Sequence, residues 1–488
     1  MLRTLSLASL VLATSFVACA SEEILEDGEN DAFDLGDGKA DGDGLTEGSP
    51  TAAAVLKVAS EASKAVLTGE VKISARTADN IITARAAGPF ATLAALDAVP
   101  WVGPVALEQL VAYVEAKGLV GGGASPMAAV AARKSWSGTY WGMLDGALAR
   151  GWSSAPRKQY SESEVRAFDA CLSSYTSTCK TKISTMAGTN GEKLSPLMKF
   201  DFMVRKQLEA KYGTGGAPTS MYSHAAKWEL DNHYIGNNTS HRYWSSRGYA
   251  GKCIGWALAN FDYAEPTTTK KLDGVTFTPA DIKGLLASIY NGAQFFIPED
   301  KVIGHEFHDN PGSDSQEYYD DVGPHELVQA LFATVAKGTL LEGDLEPGDG
   351  VWNYPIHEYK LTIKSQSARK ATVDAKLYYS NDEVPYDFVS PTDRSDILSR
   401  TLSFELDLPT GWNGDLGKAT GGRWLGESQD THPDVLILGI EPGWRDAIYD
   451  YRNTDMNTEV NFPLLKRAQL RGNAWTPIVD DLLARYYE

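Results

Sequence analysis

Tyr249-Ala250-Gly251-Lys252-Cys253-Ile254-Gly255-Trp256-Ala257-Leu258-Ala259 places a glycine-containing turn directly before an apolar stretch with helical spacing. A cysteine therefore opens a helix. Unpaired backbone N–H groups and the positive end of the helix dipole favour the thiolate there, and an adjacent N–H can hold an oxyanion. The competing reading is inert packing, because a cysteine in an apolar stretch behaves as a small hydrophobe.

The elements on either side of this stretch decide the class. Upstream, the chain from the Gly-rich run at 121–123 to about residue 215 shows helical periodicity, and Met221 to Tyr249 is rich in aromatics and histidine. Downstream, from about Tyr359, alternating segments such as Tyr359–Ile363 and Leu402–Leu406 read as strands of a sheet. A helix bearing the nucleophile, followed by a sheet, predicts an α+β fold with a papain-like or transglutaminase-like core and a β-rich C-terminal part.

At 488 residues the chain exceeds what one hydrophobic core organises, so more than one unit is expected. Residues 1–20 have the order of a signal peptide: Met1-Leu2-Arg3, an apolar run from Leu5 to Ala18, then small residues. Cys19 after Val17-Ala18 resembles a lipobox, which would make it the site of lipidation. Phe16 departs from the usual Leu of that motif, and ordinary cleavage after Ala20 is the alternative. The expectation is export, as a cell-envelope lipoprotein or a secreted protein, with membrane attachment through a lipid on Cys19.

Residues 21–50 read as an acidic, disordered tether that carries about half of the formal net charge of -19. That charge argues against nucleic acid as a partner. Residues 51–120 read as a small all-α domain in which Val99-Pro100-Trp101-Val102-Gly103-Pro104 resembles the turn of a helix-hairpin-helix unit. Trp101 stands where that motif usually has its first glycine. Residues 121–135 begin Gly121-Gly122-Gly123 and read as a linker, and 136–488 as the catalytic domain. Cys171 and Cys179, in an exported chain, predict a disulfide closing a short loop.

A thiolate nucleophile needs a base and a third group that orients the base. His305, His308, His325, His357 and His432 follow Cys253 in the chain. His325 opens another apolar helical run and Asp344 comes after it, giving the order Cys253, His325, Asp344 of a transglutaminase triad. His308 is the alternative base, as are His357 and His432. Asn353 competes with Asp344 for the orienting role, as in papain-type enzymes. Trp244 is a candidate second oxyanion donor through its indole N–H, and Trp352 could shield a thioester from water; both also read as packing residues.

Three blocks, in order, carry a family resemblance. The stretch Tyr249 to Ala257, followed by Glu265-Pro266, Gly274–Phe277 and Asp281–Leu286, resembles the catalytic segment of the oomycete transglutaminase elicitor family. Asp344-Leu345-Glu346-Pro347-Gly348, with Val351–Pro355 and Lys360, is similar to that family's elicitor-peptide stretch. Gly421-Gly422-Arg423-Trp424 with His432-Pro433-Asp434 is the third block. The resemblance implies a protein-glutamine glutamyltransferase with Cys253 as nucleophile, Ca2+ as candidate cofactor, and proteins presenting Gln and Lys as substrates. A cysteine protease using the same nucleophile, and a surface-anchored binding protein with a degenerate site, are the competing classes.

Overall fold

The computed structural model describes residue 45 and residues 50–117, 126–214, 216–292, 297–304, 321–345, 352–410, 412, 414–439, 460–468 and 476–488. His305, His308, Cys19 and nearly all of the acidic tether lie outside these residues. The chain divides into two units, Met1–Val120 and Gly121–Glu488.

The first unit is helical throughout its described elements. It comprises α1 (Pro50–Glu61), α2 (Lys64–Gly69), α3 (Ala75–Ala84), α4 (Leu93–Asp97) and α5 (Pro104–Ala116). Ser63, Ser74 and Thr92 accept backbone N–H groups at the starts of α2, α3 and α4, which satisfies donors a helix leaves orphaned. Val55, Leu67, Ile81, Leu96 and Leu110 form its core. Trp101 has a left-handed backbone, φ 73°, and is 62% exposed, with Arg76 stacked 4.0 Å from its ring. Glycine adopts that backbone freely, whereas a bulky residue there costs on the order of 1 kcal/mol. Thr77 Oγ1 and Asn80 Nδ2 hold the strained turn by donating to the carbonyls of Trp101 and Pro100.

The second unit is α+β, built on an antiparallel sheet. After β1 (Ala128–Val130) come α6 (Ala147–Arg150), α7 (Glu162–Ser174), α8 (Ser177–Ala187), α9 (Pro196–Tyr212), α10 (Ala225–Asn232) and α11 (Cys253–Asp262). A short hairpin, β2 (Lys270–Leu272) and β3 (Val275–Phe277), leads to α12 (Pro279–Tyr290) and β4 (Val302–Gly304). Then follow α13 (Pro324–Ala333), β5 (Leu341–Asp344), β6 (Asn353–Gln366), β7 (Lys370–Ser380), β8 (Ile397–Asp407), β9 (Gly421–Trp424) and β10 (Val435–Ile437). The chain closes with β11 (Arg467–Ala468), β12 (Thr476–Pro477) and α14 (Ile478–Tyr487). Cys171 near the end of α7 is disulfide-bonded to Cys179 in α8, their Cα atoms 4.8 Å apart.

The main sheet runs β4-β10-β5-β6-β7-β8-β9, and β1 adds to β6. Ala128–Val130, within the stretch read as a linker, thus pairs with Glu358–Lys360. The glycines end at Gly123, and the residues after Pro126 are apolar enough to join a sheet.

The two faces of the sheet differ. Tyr359, Leu361, Val373, Leu377, Leu402 and Phe404 are buried on the face under α13, where Phe332 packs 6.2 Å from Tyr359. The opposite face of β6 begins Asn353, Pro355, His357 and lies toward α11. Ser135 Oγ reaches His357 Nδ1 there at 2.8 Å, and Trp136 N donates to Asn260 Oδ1 of α11 at 2.7 Å. A register shift between Ile356 and Glu358 separates this polar half of β6 from its regular half. The strand therefore starts earlier than its alternating sequence indicates, because its first residues are buried polar groups.

Candidate active site

Cys253 occupies the first position of α11, and Lys252 precedes it as an N-cap that supplies no side-chain cap. Two glycines let the backbone of this region approach its neighbours. A Cβ on Gly251 would lie 2.4 Å from the Tyr140 ring, and one on Gly255 would lie 2.1 Å from the Ala287 carbonyl of α12. Cys253 is 8% exposed.

Asn353 meets the sulfur. Its Nδ2 donates to Cys253 Sγ at 3.5 Å, and its backbone N–H also favours the thiolate. Burial outweighs both donors and pushes the thiol up to about 11, with the nearby Asp382 and Asp344 charges acting in the same direction. At rest the sulfur carries its proton.

Strand pairing positions the rest of the site. Asp344, the last residue of β5, lies opposite Asn353, the first of β6, so both side chains share the face toward α11. Asp344 Oδ1 accepts the Trp352 backbone N–H at 3.0 Å and the residue is 1% exposed. Asp382 is as deeply buried, just past the end of β7, and its carbonyl accepts Tyr140 N at 3.1 Å. Tyr140 in turn accepts Lys252 N at 2.6 Å through its carbonyl and packs edge-on to Trp352, ring centroids 5.5 Å apart. Trp352 is thus a wall of the site.

The histidines fall elsewhere. His325 is the second residue of α13, on the far face of the sheet, and its Nδ1 is buried without a hydrogen-bond partner among the described residues. The structure does not bring it to Cys253. His357 shares the Cys253 face but lies farther along β6, where burial lowers it to about 4 and Ser135 engages Nδ1. His432 stacks on Trp424, 5.3 Å between centroids, with Nε2 3.4 Å from Asp321. Trp244 sits in the turns before Gly251 with Arg247 4.3 Å over its ring.

Two features of the site were not among the residues singled out from sequence. Asp382 lies in Ser380-Asn381-Asp382-Glu383, which reads as an ordinary solvated turn. Glu229 and His233, one helical turn apart, converge on Lys252: Nζ is 3.2 Å from Glu229 Oε1 and 2.7 Å from His233 Nδ1. Their spacing was the available signal. Among the described residues no group of three or more His, Cys, Asp or Glu is arranged to hold a metal ion.

The chemistry available is that of a buried, protonated thiol with amide donors from Asn353 and two carboxylates beside it. No curated protein sequence matches the chain. Among solved structures, the GP42 transglutaminase from Phytophthora sojae aligns over 64% of this chain and 85% of that one, at 16% identity and a TM-score of 0.40. Residues 225–404, which hold Cys253, Asp344, Asn353 and Asp382, match the model of the transglutaminase elicitor family.

Proposed function

We propose that the second unit is a transglutaminase-like cysteine acyltransferase with a papain-like core, acting on glutamine side chains of proteins. The observation that carries this reading is the placement of Cys253. It starts a buried helix, faces the Asn353 amide, and lies within the segment that matches the family.

In the first half-reaction Cys253 Sγ bonds to the carboxamide carbon, the C–N bond breaks, and the thiol proton leaves with the amine as ammonia. In the second, a lysine amine attacks the thioester, the C–S bond breaks, and a proton returns to sulfur. The Cys253 backbone N–H, at the helix start, and the Asn353 amide are the donors that would meet the developing oxyanion. Trp352 and Tyr140 limit access of water, which favours transfer over hydrolysis. Asp344 orients the start of β6 by holding Trp352 N. Delivery outside the cytoplasm, with a lipid on Cys19 or a cut after Ala20, belongs to the same reading.

The test is incorporation of a dansylated amine into casein, with and without calcium. Wild-type incorporation that disappears in Cys253→Ala supports the reading; casein fragmentation without incorporation replaces it with proteolysis. A specific observation favours a second reading, a binding protein with a silent site. Burial holds the thiol at about 11. Failure of iodoacetamide to label Cys253 near neutral pH, together with no incorporation, selects that reading.

A further inference from the structure

We propose that Lys252 is a positioning residue for Cys253, clamped through its ammonium between Glu229 of α10 and His233 just past its end, and that Glu229 neutralises a charge which would otherwise favour the thiolate. The proposal rests on Cys253 being the reacting group.

Lys252 is fully buried, as are Glu229 and His233 to within a few per cent. A lysine adjoining a nucleophile is ordinarily an exposed, flexible cation. Here its backbone is held as firmly as its side chain: the N–H donates to Tyr140 O, and the carbonyl accepts Trp256 N at 3.0 Å. The ammonium lies 3.2 Å from Glu229 Oε1, and burial of the carboxylate is offset first by Lys252 and then by His233, which hold Glu229 down to about 2. A second contact adds geometric restriction. His233 Nδ1 lies 2.7 Å from Lys252 Nζ and 3.0 Å from Glu229 Oε2, and one ring nitrogen serves only one of them at a time. Trp228, packed edge-on to His233 at 5.1 Å, fixes the ring plane.

Three buried polar side chains on two elements are an expensive way to pack an interior, since an apolar set of equal volume is often as stable. What the set achieves is a fixed start for α11. The sequence position of the cation, one residue before the sulfur, makes its neutralisation consequential. Among the described residues Asn353, Asp344 and Asp382 act on the sulfur, and the two carboxylates oppose its ionisation. Glu229 keeps the Lys252 charge from balancing them.

The experiment is a charge cycle on the full chain, with two readouts: the pH dependence of Cys253 alkylation by iodoacetamide, and kcat and KM for amine incorporation. Glu229→Gln leaves the lysine charge uncompensated and should raise alkylation at a fixed pH by about tenfold. Lys252→Met leaves the carboxylate uncompensated and should lower it by a similar factor. The double variant Glu229→Gln/Lys252→Met restores neutrality, so it should fold, as near-ultraviolet circular dichroism would show, and return alkylation to near the wild-type profile. It should still lose about tenfold in kcat with KM unchanged, because the clamp is gone. Single variants that shift alkylation in the same direction, or a folded double variant with wild-type alkylation and wild-type kcat, would overturn the proposal. Absence of amine incorporation by the wild type would overturn the acyl-transfer reading instead, and the alkylation cycle would still report on the clamp.

Discussion

Helices α11 and α13 each carry in the first turn a residue that looked catalytic, Cys253 and His325, and each packs on the central sheet; they lie on opposite faces of it. On the α13 side the strands present Leu361, Val373 and Phe404, fully or almost fully buried. On the α11 side the strand ends present Asp344, Asn353 and His357, just as buried. The difference teaches that reactive chemistry here follows the polar face of the sheet. Chain order of cysteine, histidine and aspartate is secondary to which face each residue meets.

The largest effect should come from the donor on the polar face. Asn353→Ala removes the side-chain amide at Sγ and should reduce kcat for amine incorporation by about 100-fold, with KM little changed, in steady-state kinetics. A decrease of less than threefold would break the comparison, because the polar face would then be passive.

Next is the seat of α11. Gly255→Ala would drive a Cβ into the Ala287 carbonyl of α12, and a clash with backbone does not relax cheaply. The expected loss is about 3 kcal/mol in urea unfolding, sufficient to lower the melting temperature by several degrees. Equal stability of variant and wild type would mean that α11 and α12 separate readily.

Alkaline pH sharpens the contrast. Folding raises the Cys253 thiol from about 9 in an open chain to about 11, so the folded state holds a proton that the unfolded state has released. The sign follows: this contribution is complete below pH about 9, falls as pH rises, and is lost by about 11, amounting to about 2 to 3 kcal/mol. Denaturant titrations between these limits should show a steeper fall for wild type than for Cys253→Ala.

The smallest effect belongs to the apolar face. His325→Ala should leave amine incorporation within about twofold, because α13 brings its histidine to no bond with the thiol. A hundredfold loss would show that His325 reaches the site in some other arrangement of the chain.

Much of this was legible in the sequence. The apolar spacing after Gly251 specified a helix beginning at Cys253, and the alternation in Leu402–Leu406 specified a strand. The early half of β6 was not legible, because Asn353, Pro355 and His357 are buried polar or helix-breaking residues where alternation predicts apolar ones. The placement of His325 failed for a different reason. Periodicity tells which side of a helix is buried and says nothing about which face of a sheet that side will meet. The one-turn spacing of Glu229 and His233 was readable, but the burial of these two and of Lys252 was not, since burial of such residues is a tertiary property.

The register of β5 against β6 has a further consequence. Asp344 and Asn353 face the sulfur because they are paired across the two strands, and β5 is locked from its other edge by β10. Sliding β5 by a single residue would replace Asp344 with its neighbour and turn the carboxylate toward the hydrocarbon layer beneath α13. The address of the site is therefore written in backbone hydrogen bonds, and a change that never touches a reactive side chain could erase it.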